Sequence, residues 1–73
     1  MTTLYLLWLI DKPDITEDLH AVVQRHTAKF GLLPNVIYFN PLTLPGGMTD
    51  FQGIPVKLMK TVLKRHIMVG AEG

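Results

Sequence analysis

The stretch that decides the fold is Leu4-Tyr5-Leu6-Leu7-Trp8-Leu9-Ile10, followed at once by Asp11-Lys12-Pro13-Asp14. An unbroken apolar run fits a buried strand or a piece of buried helix by periodicity alone. Its shortness, and the turn-forming residues that close it, favour a strand. Such a strand sends Leu4, Leu6, Trp8 and Ile10 to one side and Tyr5, Leu7 and Leu9 to the other. Both faces therefore want cover.

Working outward, Asp14 opens an amphipathic helix, with Glu17 three residues on in the reciprocal position of a capping box. Ile15, Leu19, Val22, Val23, His26 and Phe30 form its apolar stripe. Gly31 supplies a left-handed stop and Pro34 follows, so the helix ends between Lys29 and Gly31. The acids Asp14, Glu17 and Asp18 in its first turn, and Arg25 and Lys29 near its last, suit the helix dipole. Val36-Ile37-Tyr38-Phe39, bounded by Pro34 and Asn40-Pro41, reads as a second strand. Strand, helix and strand then make a βαβ unit whose two strands are expected to be parallel neighbours with a right-handed crossover.

From Asn40 to Gly53 the chain shows neither period and reads as one long loop. The last third admits a helix from Pro55 to His66, or a strand over Ile54 to Met59, a loop over Lys60 to Arg65 and a strand from His66 to Val69 stopped by Gly70. Two strands are preferred, because Gly53-Ile54-Pro55-Val56 lacks a capping residue and Ile67 to Val69 is strand-like. The expected architecture is a single α/β (α+β) domain over residues 1–73: a small mixed sheet, β-α-β-β-β, with one helix packed on one face.

One helix covers one face. The other is expected to expose Tyr5, Leu7, Leu9 and either Ile37 or Val36, a patch too apolar to rest comfortably in water. The alternative cover is the 40–53 loop folding back to lay Leu42, Leu44, Met48 and Phe51 across it. The chain has 73 residues, no cysteine and an apolar fraction of 48%. A chain this short buries only about 60% of its unfolded surface, and no disulfide makes up the difference. Both points favour burial against another chain. The apolar run is too short to span a bilayer and lacks the flanks of a signal peptide, so a cytoplasmic protein with no membrane partner is the default expectation.

Net charge is +1, which gives no global field for nucleic acid or an acidic substrate. Local charge is uneven. Lys57, Lys60, Lys64 and Arg65 crowd an acid-free stretch that is a candidate for tracking phosphates, although it has no aromatic side chains for stacking and suits a solvated hairpin equally. Asp11, at the end of a strand, with Asp14 or Glu17, is a candidate magnesium site for a small metal-dependent nuclease, and as a lone strand-end acid it reads first as a turn residue. His20 and His26 project about 120° apart on the helix, so they do not share a tetrahedral ion. His26, inside the apolar stripe, is expected to be a hydrogen-bonded core histidine. No phosphate-binding glycine loop, metalloprotease helix or nucleophile elbow is present, so no catalytic, metal or cofactor residues are assigned and an enzyme is not expected.

Val36-Ile37-Tyr38-Phe39-Asn40-Pro41, Gly53-Ile54-Pro55-Val56 and Ile67-Met68-Val69-Gly70 together resemble a segment of tailed-phage major capsid proteins and their encapsulin-like relatives. In those proteins a short strand ending in Asn-Pro or His-Pro is followed by a loop, a Gly-Ile-Pro-Val strand, a turn and a strand ending in Val-Gly. The resemblance covers about half the chain, which departs from the family in lacking the length for an extended arm and a long spine helix. It implies a stand-alone, phage-related relative of one capsid subdomain whose trade is protein–protein assembly, and it assigns no catalytic residues. The function expected from all of this is an interaction or assembly module that joins copies of itself, as a homodimer or larger assembly, through Tyr5, Leu7 and Leu9. A nucleic-acid-binding module using Lys57, Lys60, Lys64 and Arg65 is the alternative.

Overall fold

A computed structural model of the chain describes residues 4–43 and 48–72. Its elements are β1 (Leu4–Leu9), α1 (Ile15–Phe30), β2 (Val36–Phe39), β3 (Asp50–Phe51), β4 (Ile54–Leu58) and β5 (His66–Ala71). The fold is a small α+β domain, a five-stranded mixed sheet with one helix on one face. The preference for two strands over a helix in the last third holds. The 40–53 segment, read as loop throughout, holds the two-residue β3 near its end, paired antiparallel with β4.

α1 begins where an acceptor meets the free N–H groups of its first turn. Asp14 Oδ1 accepts from Thr16 N at 3.0 Å and from the Thr16 hydroxyl at 2.6 Å. Those bonds hold the Asp14 carboxyl below its ordinary pKa. Among the described residues the reciprocal Glu17 arm of the capping box is not formed, and the Asp14 cap takes both its bonds from Thr16 instead. The helix ends at Gly31, whose φ of 76° lies in the left-handed region that glycine enters without a Cβ penalty. Leu19, Val22, Val23 and His26 of the stripe are buried.

The strand order is β1-β5-β2-β4-β3. β1 and β2 run parallel, as a strand–helix–strand unit requires, but they are not neighbours: β5 lies between them, antiparallel to both. The expected βαβ pairing is thus corrected to a split one. The reason is burial. β2 is buried at all four positions and β5 at Ile67, Val69, Gly70 and Ala71, so these two strands take the middle of the sheet and β1 becomes an edge. Gly70 does not stop the last strand, which continues to Ala71. A Cβ built at Gly70 would collide with the Tyr5 ring, which leans across it. The glycine is a gap that accommodates that ring.

The main core lies between α1 and the sheet. It joins Leu19, Val22 and Val23 to Ile37, Phe39, Ile67 and Val69, with Leu6, Trp8 and Ile10 packed beside them. Phe51 and Met48 belong to this same cluster, and Leu42 is 78% exposed. The 40–53 segment therefore does not lay these residues over the far face of the sheet; Leu44 lies outside the described residues. At such a size each core side chain matters, since burying a large aliphatic group contributes about 1.5–3 kcal/mol.

Candidate interaction surface

The sheet face turned away from α1 has a covered half and a bare half. On the β2 side Val36 and Tyr38 are buried under Val62, with Met59 and Met68 packed against them. This cover comes from the β4–β5 connection, and the Asn40-Pro41 corner holds it in place. Asn40 Nδ2 donates to Val62 O at 2.9 Å, while Asn40 Oδ1 accepts from Leu42 N at 2.9 Å. Arg65 N donates to Thr43 Oγ1 at 3.0 Å, locking the same two segments together a second time.

The bare half is β1. Tyr5, Leu7 and Leu9 are 43%, 48% and 56% exposed, the outward alternate residues of an edge strand. Register places Tyr5 beside Gly70, Leu7 beside Met68 and Leu9 beside His66. Gly70 and Met68 are in turn opposite Val36 and Tyr38. The open-side member of β2 is thus Val36, whereas Ile37 faces the helix.

A polar knot sits at one end of this face. The hydroxyls of Tyr5 and Tyr38 both donate to Glu72 Oε2, each at 2.7 Å, and the two rings meet edge to face with centroids 6.5 Å apart. Glu72 is held by its backbone as well: its N–H donates to Asn35 Oδ1 and its carbonyl accepts from Asn35 Nδ2. Two hydroxyl donors, with the Lys57 charge beyond them, lower the Glu72 carboxyl pKa. The same carboxylate raises Tyr38 to about 12, chiefly by its hydrogen bond, and raises Tyr5 for the same reason. The knot ties the chain's last described residue to β1 and β2 and lays the Tyr5 ring inward, over the sheet.

The remaining candidate residues are dispersed. Lys57 lies on the open face of β4, opposite Tyr38, while Lys60, Lys64 and Arg65 are exposed on the β4–β5 connection. Arg65 adopts a left-handed φ of 63°, and its carbonyl accepts from Ile10 N at 2.7 Å. Asp11 is exposed beside Lys12 at 3.8 Å, and Asp14 is engaged as the helix cap. Among the described residues no three His, Asp or Glu side chains are grouped to hold a metal ion. His26 is fully buried, as a hydrogen-bonded core histidine should be. Its Nδ1 lies 3.0 Å from Leu32 O and its Nε2 3.5 Å from Leu4 O, so both ring nitrogens face backbone carbonyls. His20 packs its edge on Phe51.

Asp18 lies in the first turn of α1, where the helix dipole favours an acid, and it is also fully buried, accepting from Trp8 Nε1 at 3.1 Å and from Lys12 N at 3.2 Å. Glu72 and Met68 were missed on the open face. Met68 was legible in principle, because His66, Met68 and Gly70 alternate with the core residues Ile67 and Val69. Glu72 carries no such signal, since its role depends on which tyrosines the sheet brings to it.

No protein-family model matches the chain, and no curated protein or solved structure does either. No helix among the described residues is long and apolar enough to cross a membrane.

Proposed function

We propose that this chain is a protein–protein interaction module that associates with copies of itself through the β1 side of its open sheet face. The observation that carries the proposal is the row Tyr5, Leu7 and Leu9: three large side chains about half exposed on one uncharged strand, next to a face otherwise covered by Val62 and Met59. Full burial of such a side chain contributes about 1.5–3 kcal/mol, and covering the half still exposed on each contributes up to about half of that, an inducement to association for so small a domain. The resemblance of residues 34–70 to a capsid subdomain points toward assembly as well.

Sedimentation over a range of protein concentrations tests the proposal. Wild type should shift from monomer to dimer or larger species, and Leu7→Glu should stay monomeric with an unchanged circular dichroism spectrum, because Leu7 lies outside both cores. A wild-type chain that stays monomeric at high micromolar concentration would defeat the proposal. Repeating the run with a mixed oligonucleotide pool at low salt tests the basic residues. Co-sedimentation abolished by changing Lys60, Lys64 and Arg65 together to glutamine would shift the assignment to nucleic-acid binding.

A further inference from the structure

The self-association proposed above leaves open how two copies meet, and the backbone of β1 narrows it. In the β1–β5 ladder, Ile10 N donates to Arg65 O, in register with the pairs Trp8↔Ile67, Leu6↔Val69 and Leu4↔Ala71. Antiparallel pairing alternates hydrogen-bonded and non-bonded residues along a strand. The even-numbered residues of β1 therefore spend their N–H and C=O groups on β5, and those of Tyr5, Leu7 and Leu9 point out from the sheet edge. The side chains of these three residues are also the exposed ones.

Natural edge strands are normally blunted by a proline, a lysine, a bulge or extreme shortness. β3, the opposite edge, is blunted: it has two residues, exposes Asp50 and turns away through Gln52 and Gly53, both at positive φ. β1 has six residues, no charge, no proline and an unbroken register with β5. The Tyr5 ring, the bulkiest of the three outward side chains, leans inward over Gly70 and is tethered there by Glu72, so it leaves the approach clear.

We infer that two copies join edge to edge, β1 against β1 of the second copy, antiparallel about a two-fold axis through Leu7, forming one continuous ten-stranded sheet. Among the described residues this register uses every outward group. Leu7 faces Leu7 of the second copy, and each Tyr5 faces the other copy's Leu9. Three N–H groups from each copy then make about six new main-chain hydrogen bonds. Shifting the axis by one residue along the strand leaves a pair of these groups unmatched. A second copy satisfies the arrangement from its own sequence, since the strand is uncharged and brings no like charges together. Along the seam the pairing sets Leu7 against Leu7 and places Leu9 opposite the Tyr5 backbone, whose ring stays over Gly70.

The inference rests on the self-association reading, and amide hydrogen exchange with sedimentation on the same samples separates the two. On passing from dilute monomer to a solution in which about nine-tenths of the chain is dimeric, the amides of Tyr5, Leu7 and Leu9 should slow by about tenfold. Those of Leu6 and Trp8, already bonded to β5, should be protected throughout. Because the chain has no cysteine, Leu7→Cys supplies a second readout. Across the axis its Cα atoms would lie about 5.5 Å apart, within disulfide reach, and mild oxidation should give a covalent dimer. Tyr5→Cys should not, as its two copies are offset by four residues, about 14 Å. A dimer whose Tyr5, Leu7 and Leu9 amides exchange as fast as in the monomer would overturn edge pairing and leave self-association by face packing. Absence of any dimer would overturn both.

Discussion

Replacing Asp18 with alanine tests the joint between β1 and α1. Its carboxylate is fully buried and accepts from the Trp8 indole at 3.1 Å and from the Lys12 amide at 3.2 Å, fastening strand, turn and helix at one point. Alanine leaves both donors without this partner. A buried donor left unsatisfied costs about 1–3 kcal/mol, whereas the Lys12 amide sits in an exposed turn where water can replace the carboxylate. With the indole only part-buried and the amide counted in small part, the loss is about 1–3 kcal/mol. A domain of this length is held by about 4–11 kcal/mol, at 0.05–0.15 kcal/mol per residue, so the variant should lose a large share of its stability.

Urea titration followed by circular dichroism measures this loss, with the emission of Trp8, the single tryptophan, as a second probe. Glu17→Ala, on the exposed side of the same turn, should cost under about 0.5 kcal/mol. In a Trp8→Phe background the indole donor is already gone, and Asp18→Ala should cost about 1 kcal/mol less than in wild type. An Asp18→Ala midpoint indistinguishable from that of Glu17→Ala would refute the buried bridge. An equal cost in both backgrounds would show that the indole contact contributes nothing.

Two further perturbations probe the tyrosine–glutamate knot and its glycine. Because Glu72 titrates below its ordinary range in the folded state, its contribution is present above the ordinary carboxylate pKa and is lost as pH falls through the depressed one. Tyr38, raised from 10.0 to about 12, contributes stability that is complete below pH 10.0 and is lost as pH rises through about 12. Denaturation midpoints against pH should therefore decline at both ends, with Glu72→Gln flattening the acid limb and Tyr38→Phe the alkaline one; unchanged limbs would separate the pH response from the knot. Gly70→Ala should lower the melting temperature by displacing the Tyr5 ring, and the same change in a Tyr5→Ala background should be neutral or stabilising; equal effects in both would mean that the ring does not rest on Gly70.

Local rules alone determined much of this chain. The period of Ile15 to Phe30, Asp14 before it and Gly31 after it specify α1 to within a residue, because capping and amphipathic spacing act within a few residues. The β-branched and aromatic runs specify β2 and β5, and alternation along Leu4 to Ile10 correctly divides β1 into a core side and an exposed side. Strand order was decided only in three dimensions. A strand–helix–strand pattern sets the direction of β1 and β2 but not whether a later strand enters between them. That choice follows from burying β2 on both faces and β5 at Ile67, Val69, Gly70 and Ala71, a comparison among all the strands at once. The same holds for Asp18, Glu72 and Gly70. Each looks ordinary beside its sequence neighbours, and each acquires its role from a side chain at least ten positions away in the chain: Trp8 for Asp18, Tyr5 and Tyr38 for Glu72, Tyr5 for Gly70. Hydrogen bonds and steric gaps of this kind depend on separations of a few ångströms, which the chain acquires only when the sheet closes.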